Sequence, residues 1–143
     1  MMVISEQRKR LIRVLYVEDD DVIVQLVRAA LKSVKTVEVK LSIAEDGEKG
    51  LAFLDSNQAK FDLVILDLNL PKVHGLDVLR SIRANENTKR IPVIAFSTTS
   101  DQIRKAYELG ANSYIVKPAE FKDYKKMFRS LCEFWSLNAL SLQ

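Results

Sequence analysis

Short apolar runs alternate strictly with longer stretches of helical periodicity, and this pattern limits the possible folds most. Val14-Leu15-Tyr16-Val17, Leu63-Val64-Ile65-Leu66 and Val93-Ile94-Ala95-Phe96 are continuous apolar runs, as expected of strands covered on both faces. Tyr114-Ile115-Val116 is a shorter fourth. Val37, Val39, Leu41 and Ile43 instead alternate with Glu38, Lys40 and Ser42, which suits a half-exposed strand at a sheet edge. Between these runs, Ile23, Leu26, Val27, Ala30, Leu31 and Val34 recur at steps of three and four. Leu51 and Leu54 lie in a second helical period over 47–56, and Leu76, Leu79 and Ile82 form a third. Ile103, Ala106 and Tyr107 form a fourth, with Gly110 as its stop, and Phe121, Tyr124, Phe128, Leu131 and Trp135 a fifth. Strand–helix pairs in this order predict an α/β fold with a parallel sheet.

The gaps between elements are a few residues long, as βα loops usually are, so the 143 residues read as one domain. Apolar residues make up 48% and charged residues 29%, which excludes a disordered or collagen-like chain. No window approaches the roughly 18 apolar residues of a membrane span. Lys and Arg number 22 against 19 Asp and Glu, a net charge of +3. So small an excess is ordinary solvated surface, and no nucleic-acid or membrane partner is expected from it. Cys132 is the single cysteine. With no internal disulfide available and no secretory leader pattern, a cytoplasmic location is expected.

The residues that end the predicted strands carry the functional signal, because open parallel sheets bind ligands at the carboxyl ends of their strands. The first strand runs into Glu18-Asp19-Asp20-Asp21, and the next fully apolar one into Asp67-Leu68-Asn69. The following strand ends in Ser97-Thr98-Thr99 and the last in Lys117-Pro118. Asp20 or Asp21 can cap the helix that starts near Val22. Capping does not account for Asp67, which ends a buried strand and precedes a loop with Pro71 and Gly75. Carboxylates at one edge suit a hard divalent cation such as Mg²⁺. A lysine and a hydroxyl beside them suit an anionic group, phosphate above all.

These motifs resemble the response-regulator receiver domain of two-component signalling. The matching residues are Val17-Glu18-Asp19-Asp20, Ile65-Leu66-Asp67-Leu68-Asn69-Leu70-Pro71 with Gly75, Ser97-Thr98 and Val116-Lys117-Pro118. Leu68-Asn69-Leu70-Pro71-Lys72 and Phe134-Trp135 are most similar to small regulators paired with cyanobacterial phytochrome-type histidine kinases. The resemblance implies a flavodoxin-like, doubly wound sheet of order 2-1-3-4-5 with five helices. It places the receiver over 11–135, after an N-terminal extension (1–10) and before a tail (136–143).

The resemblance also implies roles. Asp67 is the phosphoacceptor, supplied by a sensor histidine kinase of phytochrome-like type. Asp19, Asp67 and the backbone carbonyl of Asn69 are the Mg²⁺ ligands, with Glu18 reaching the ion through water. Lys117 pairs with Asp67 or with the phosphoryl group, aimed by a cis bond to Pro118. Ser97 donates its hydroxyl to the phosphoryl group, and Ser97 with Tyr114 forms the switch. For Tyr114 an edge-strand tyrosine with an exposed hydroxyl is an equal reading. No enzyme activity is implied beyond self-phosphorylation and self-dephosphorylation. The short chain implies a stand-alone receiver that signals by protein contact.

Two positions depart from the family pattern. His74 stands where an acidic residue or asparagine is usual, and is expected to be solvated. Thr98 stands where alanine is common, and can slow access of water to a phosphoaspartate. Phe134, Trp135 and the tail leave two readings, a cap on the domain's own core or a homodimer interface. A haloacid-dehalogenase type phosphatase is disfavoured, because Asn69 occupies the place of its second aspartate. The remaining alternative is a receiver-like binding module that works without phosphorylation.

Overall fold

The computed structural model describes residues 9–56, 60–71 and 73–139. Ten elements alternate as expected: β1 (Arg10–Val17), α1 (Asp21–Lys32), β2 (Val37–Ala44), α2 (Gly47–Asp55), β3 (Leu63–Asp67), α3 (Gly75–Ala84), β4 (Val93–Ser97), α4 (Ile103–Glu108), β5 (Ser113–Val116) and α5 (Phe121–Trp135). The strands form one parallel sheet in the order β2-β1-β3-β4-β5. The half-polar β2 lies at an edge, as its alternation requires.

Strand periodicity sends successive side chains to opposite faces, and each face has its own core. Leu15, Val17, Val64, Leu66, Val93 and Ala95 pack with Leu54, Val78, Leu79, Ile82 and Ala106 from α2, α3 and α4. Val14, Tyr16, Leu63, Ile65, Ile94 and Phe96 pack with Val27, Tyr124, Phe128 and Cys132 from α1 and α5. Tyr16, Phe96 and Phe128 meet pairwise, with ring centroids 5.4–6.2 Å apart. Such pairs add about 0.5–1.5 kcal/mol each beyond the area they bury.

β1 begins at Arg10, four residues before the apolar run. Its first residues pair only with edge strand β2, whereas pairing with β3 starts at Val14. One-sided pairing leaves Arg10 exposed and Arg13 half-buried, so hydrophobicity alone does not mark this half.

Caps fix the ends of the helices. Asp20 accepts from the Val22 and Ile23 amides and caps α1, a contact worth about 1 kcal/mol. Gly110 follows α4 with φ +102°. Arg83 reaches from α3 under this turn and donates to the carbonyls of Gly110, Lys89 and Ile91 and to Asn112 Oδ1. A Cβ on Gly110 would stand 2.9 Å from Arg83 Nε. Gly110→Ala therefore combines an unfavourable backbone conformation with a clash. We expect it to cost roughly 1–3 kcal/mol, read as a lower denaturant midpoint.

Candidate functional site

Parallel pairing brings the ends of β1, β3, β4 and β5 to one edge of the sheet. Val17 pairs with Leu66, Asp67 with Phe96, and Ser97 with Val116. The next residues of these strands, or their last, are Glu18, Asp67, Ser97 and Lys117. Gly75 lets α3 back directly onto this edge, since a Cβ there would lie 2.7 Å from the Asp67 carbonyl oxygen.

Lys117 crosses from β5 to the middle of the sheet. Its Nζ lies 3.0 Å from Glu18 Oε1 and 3.2 Å from Asp67 Oδ2. Both carboxylates are buried, and the Lys117 side chain is only 12% exposed. Removing an ammonium from water alone would lower its pKa, but Asp67 and Glu18 outweigh burial and raise it. Lys117 is thus held as a cation. The structure contains no cis peptide bond among the described residues, so the expected cis Lys117–Pro118 link is corrected to trans. Lys117 reaches both carboxylates from the trans backbone.

Glu18 continues the ladder of β1, with its amide bonded to the Ala44 carbonyl at 2.9 Å. Tyr16 donates its hydroxyl to Glu18 Oε1 at 3.0 Å. The aromatic cluster thereby fixes the Glu18 carboxylate from below. Sequence reasoning missed Tyr16 as a site neighbour. The available signal was its spacing of two from Glu18, which puts both on one face of the strand. Burial raises the Tyr16 hydroxyl pKa, and the adjacent Glu18 raises it further, so it remains a donor.

Glu18, Asp19 and Asp67 each offer a carboxylate oxygen, all within 4.8 Å of one another. Asp19 is exposed while the other two are buried. Three hard oxygen donors with one open to solvent fit a hydrated divalent ion. Asn69, on the loop after β3, donates its amide to Asp67 Oδ1 at 2.8 Å.

Ser97 is fully buried, and its Oγ donates to Asn69 Oδ1 at 3.3 Å and accepts from the Thr99 amide at 3.2 Å. The Thr98 amide also donates to Asn69 Oδ1, at 3.1 Å. Ser97 therefore faces Asn69 and the site. Thr98 is exposed at the rim. Tyr114 is half-buried and donates its hydroxyl to the Thr99 carbonyl at 2.8 Å, so it grips the β4–α4 loop. His74 is exposed, as expected, and also makes two hydrogen-bonding contacts. It caps α3 through Nδ1, which accepts from the Leu76 amide, and its Nε2 meets the Gln102 side chain. Phe134 and Trp135 divide, Trp135 packing on the core and Phe134 standing 64% exposed. Lys72 and tail residues 140–143 lie outside the described residues.

Residues 14–129 match the family described as response regulator receiver domain. The chain belongs to the receiver-domain family of response regulators. It is 38% identical to response regulator Rcp1 of Synechocystis sp., over 85% of this chain and 87% of that protein. Two solved structures agree in fold. The phosphorylated cyanobacterial phytochrome response regulator RcpA superposes with TM-score 0.82 at 34% identity, covering 90% of this chain and 96% of that one. The Mn²⁺-bound form of Rcp1 gives TM-score 0.79 at 36% identity, again covering 90% and 96%. The chain is therefore a phosphoacceptor response regulator of two-component signalling with an acidic site suited to a divalent metal.

The crowded carboxylates have a thermodynamic consequence. Burial, reinforced by Asp67 beside it, pushes the Glu18 carboxyl up to about 7, against the opposing pull of Lys117. The unfolded chain holds this group near 4.5. Between those values the folded state binds more protons, so stability falls as pH rises from 4.5 to about 7. Asp67→Asn removes one of the facing charges. In metal-free buffer at neutral pH we expect it to raise the melting midpoint and to flatten this slope, measured by thermal melts across that pH window.

Proposed function

We propose that Asp67 is the phosphoacceptor, and the contact of Lys117 with both Asp67 and Glu18 is the observation that supports it most. A carboxylate is already ionised as a nucleophile at neutral pH. The obstacle is repulsion between its charge and the incoming phosphoryl oxygens. Lys117 offsets that charge from one side. Asp19, Asp67 and the backbone carbonyl of Asn69 would hold Mg²⁺ on the other, with Glu18 contributing through water. When bound, the ion supplies charge neutralisation shared by carboxylate and phosphoryl oxygens. In the transfer an Asp67 carboxylate oxygen bonds to phosphorus while the bond from phosphorus to the donor's histidine nitrogen breaks. That nitrogen retains the bonding electron pair. No enzyme activity beyond this self-modification and its hydrolysis belongs to the reading.

Ser97 is the hydroxyl that would turn from Asn69 to a phosphoryl oxygen. Tyr114 holds Thr99, two residues beyond, so movement at Ser97 and at β5 would be linked. This is a shift between two populations, biased by contacts to the phosphoryl group. The donor would be a sensor histidine kinase, and the likeness to Rcp1 and RcpA favours a phytochrome-type one. The location would be cytoplasmic. Among the described residues no helix is long and apolar enough to cross a membrane. Exposed Phe134 and Leu137, at 64% and 54%, support a homodimer through the end of α5 and the tail. No nucleic-acid partner is part of the reading.

Incubation with Mg²⁺ and acetyl phosphate should add one phosphoryl group to the wild type and none to Asp67→Ala, read by intact-mass spectrometry. A wild type that stays unmodified would favour the phosphorylation-independent binding module instead. Thr98→Ala should shorten the lifetime of the phosphoryl group, because a smaller rim residue admits water. An unchanged half-life would remove Thr98 from this role.

A further inference from the structure

Two loops flank Asp67 at the carboxyl edge, 68–74 after β3 and 98–102 after β4. Their near ends are joined where Asn69 Oδ1 accepts from the Thr98 amide and from Ser97 Oγ. Their far ends meet where His74 Nε2 and the Gln102 side-chain amide nitrogen lie 3.3 Å apart. His74 is the N-cap residue of α3 and Gln102 that of α4. The second contact therefore joins the starts of two helices.

Hydrogen-bond chemistry fixes how this contact works. His74 Nδ1 lies 3.2 Å from the Leu76 amide nitrogen, which donates to it. A neutral ring that accepts at Nδ1 carries its proton on Nε2. That proton then points at an amide nitrogen, also a donor, while Gln102 Oε1 is buried without a hydrogen-bond partner. The opposite tautomer would set Nδ1–H against the Leu76 amide and still leave Oε1 orphaned. Turning the Gln102 amide by half a rotation puts Oε1 against Nε2–H, and only the amide NH₂ then faces the interior. One defect replaces two, and the two ends of an amide are told apart by their bonding network alone.

We propose that His74 Nε2–H donates to Gln102 Oε1, forming a clasp that makes the loop after Asp67 and the start of α4 move together. α4 is held near that end by buried Ala106 and by the Tyr114 hydroxyl on the Thr99 carbonyl. It is six residues long and Gln102 makes no side-chain cap bond to it. Its other end is anchored by Arg83 on the Gly110 carbonyl, at 2.9 Å. The clasp therefore adds a second side-chain tie to α4 at the end away from that anchor. Ile103 and Tyr107, 39% and 48% exposed on α4, would be repositioned by events at the loop. The signalling consequence rests on the phosphoacceptor reading of Asp67, but the clasp itself does not.

The test uses the full chain without metal or phosphodonor, so its failure leaves the role of Asp67 untouched. Long-range ¹H–¹⁵N correlation of the His74 ring should show the Nε2–H tautomer, and the Nδ1–H tautomer would overturn the clasp. His74→Asn keeps a capping oxygen on α3 but is too short to reach Gln102. Gln102→Leu keeps bulk and removes the acceptor, whereas Gln102→Glu keeps an acceptor. The Ala106 amide, bonded to the Gln102 carbonyl at 2.9 Å, reports on the start of α4. Its hydrogen exchange should quicken roughly threefold or more in His74→Asn and in Gln102→Leu, and no further in the double variant. Gln102→Glu should exchange as slowly as wild type. Independent, additive effects of the two single variants, or Gln102→Glu exchanging as fast as Gln102→Leu, would refute the coupling.

Discussion

The site depends on one ammonium group placed between two buried carboxylates. Lys117 lies 3.0 Å from Glu18 and 3.2 Å from Asp67, and those three residues end three different strands. Neither carboxylate could be left buried and ionised beside the other without a cation, because an uncompensated buried charge costs several kcal/mol. The interaction also requires the sheet order. Only when β1, β3 and β5 are parallel and their ends coincide can a single lysine span them. Parallel pairing in turn requires the crossover helices, and the helices need both cores. The electrostatic contact at the edge and the hydrophobic layers beneath it are thus parts of one constraint.

Much of this was legible in the sequence because two periodicities carry it. The continuous runs 14–17, 63–66 and 93–96 marked the central strands, and the alternation over 37–43 marked the edge. The helical stripes fell on the observed helices, except that Val34 lies just past the end of α1. The strand-end residues Glu18, Asp67, Ser97 and Lys117 were legible because polarity at the end of a buried strand is expensive without a role. Four features were not. The first half of β1 pairs on one side only, so its polar residues give no strand signal. Tyr16 reads as core until its hydroxyl is found on Glu18. The trans Lys117–Pro118 bond corrects an expectation that came from resemblance and not from any residue pattern. His74 escaped for a different reason, since a cap on one helix and a partner on another are separated by 28 positions.

Stability and reactivity pull against each other at this edge. The buried aromatic cluster of Tyr16, Phe96 and Phe128 packs beneath Glu18 and holds it through the Tyr16 hydroxyl. Packing keeps Glu18 buried and close to Asp67, where burial first and Asp67 second raise its pKa to about 7. A looser floor would let the carboxylates separate and relax. The fold therefore stores electrostatic tension at the place that would receive a cation and a phosphoryl group in the proposed function, and the cores on either side of the sheet offset its cost.

The same logic bears on the net charge. The chain carries +3 overall, yet the edge that matters is acidic, with Glu18, Asp19 and Asp67 converging beside one lysine. Whole-chain charge governs solubility and long-range attraction, whereas affinity for a small hard cation is set within a few ångströms. An acidic edge repels an incoming phosphoryl donor, and a divalent ion held there would offset much of that charge. Metal occupancy and phosphoryl acceptance are therefore coupled in the proposed function by charge alone. The donor set for such an ion is already assembled in the unphosphorylated chain, because the three carboxylate oxygens lie within 4.8 Å of one another.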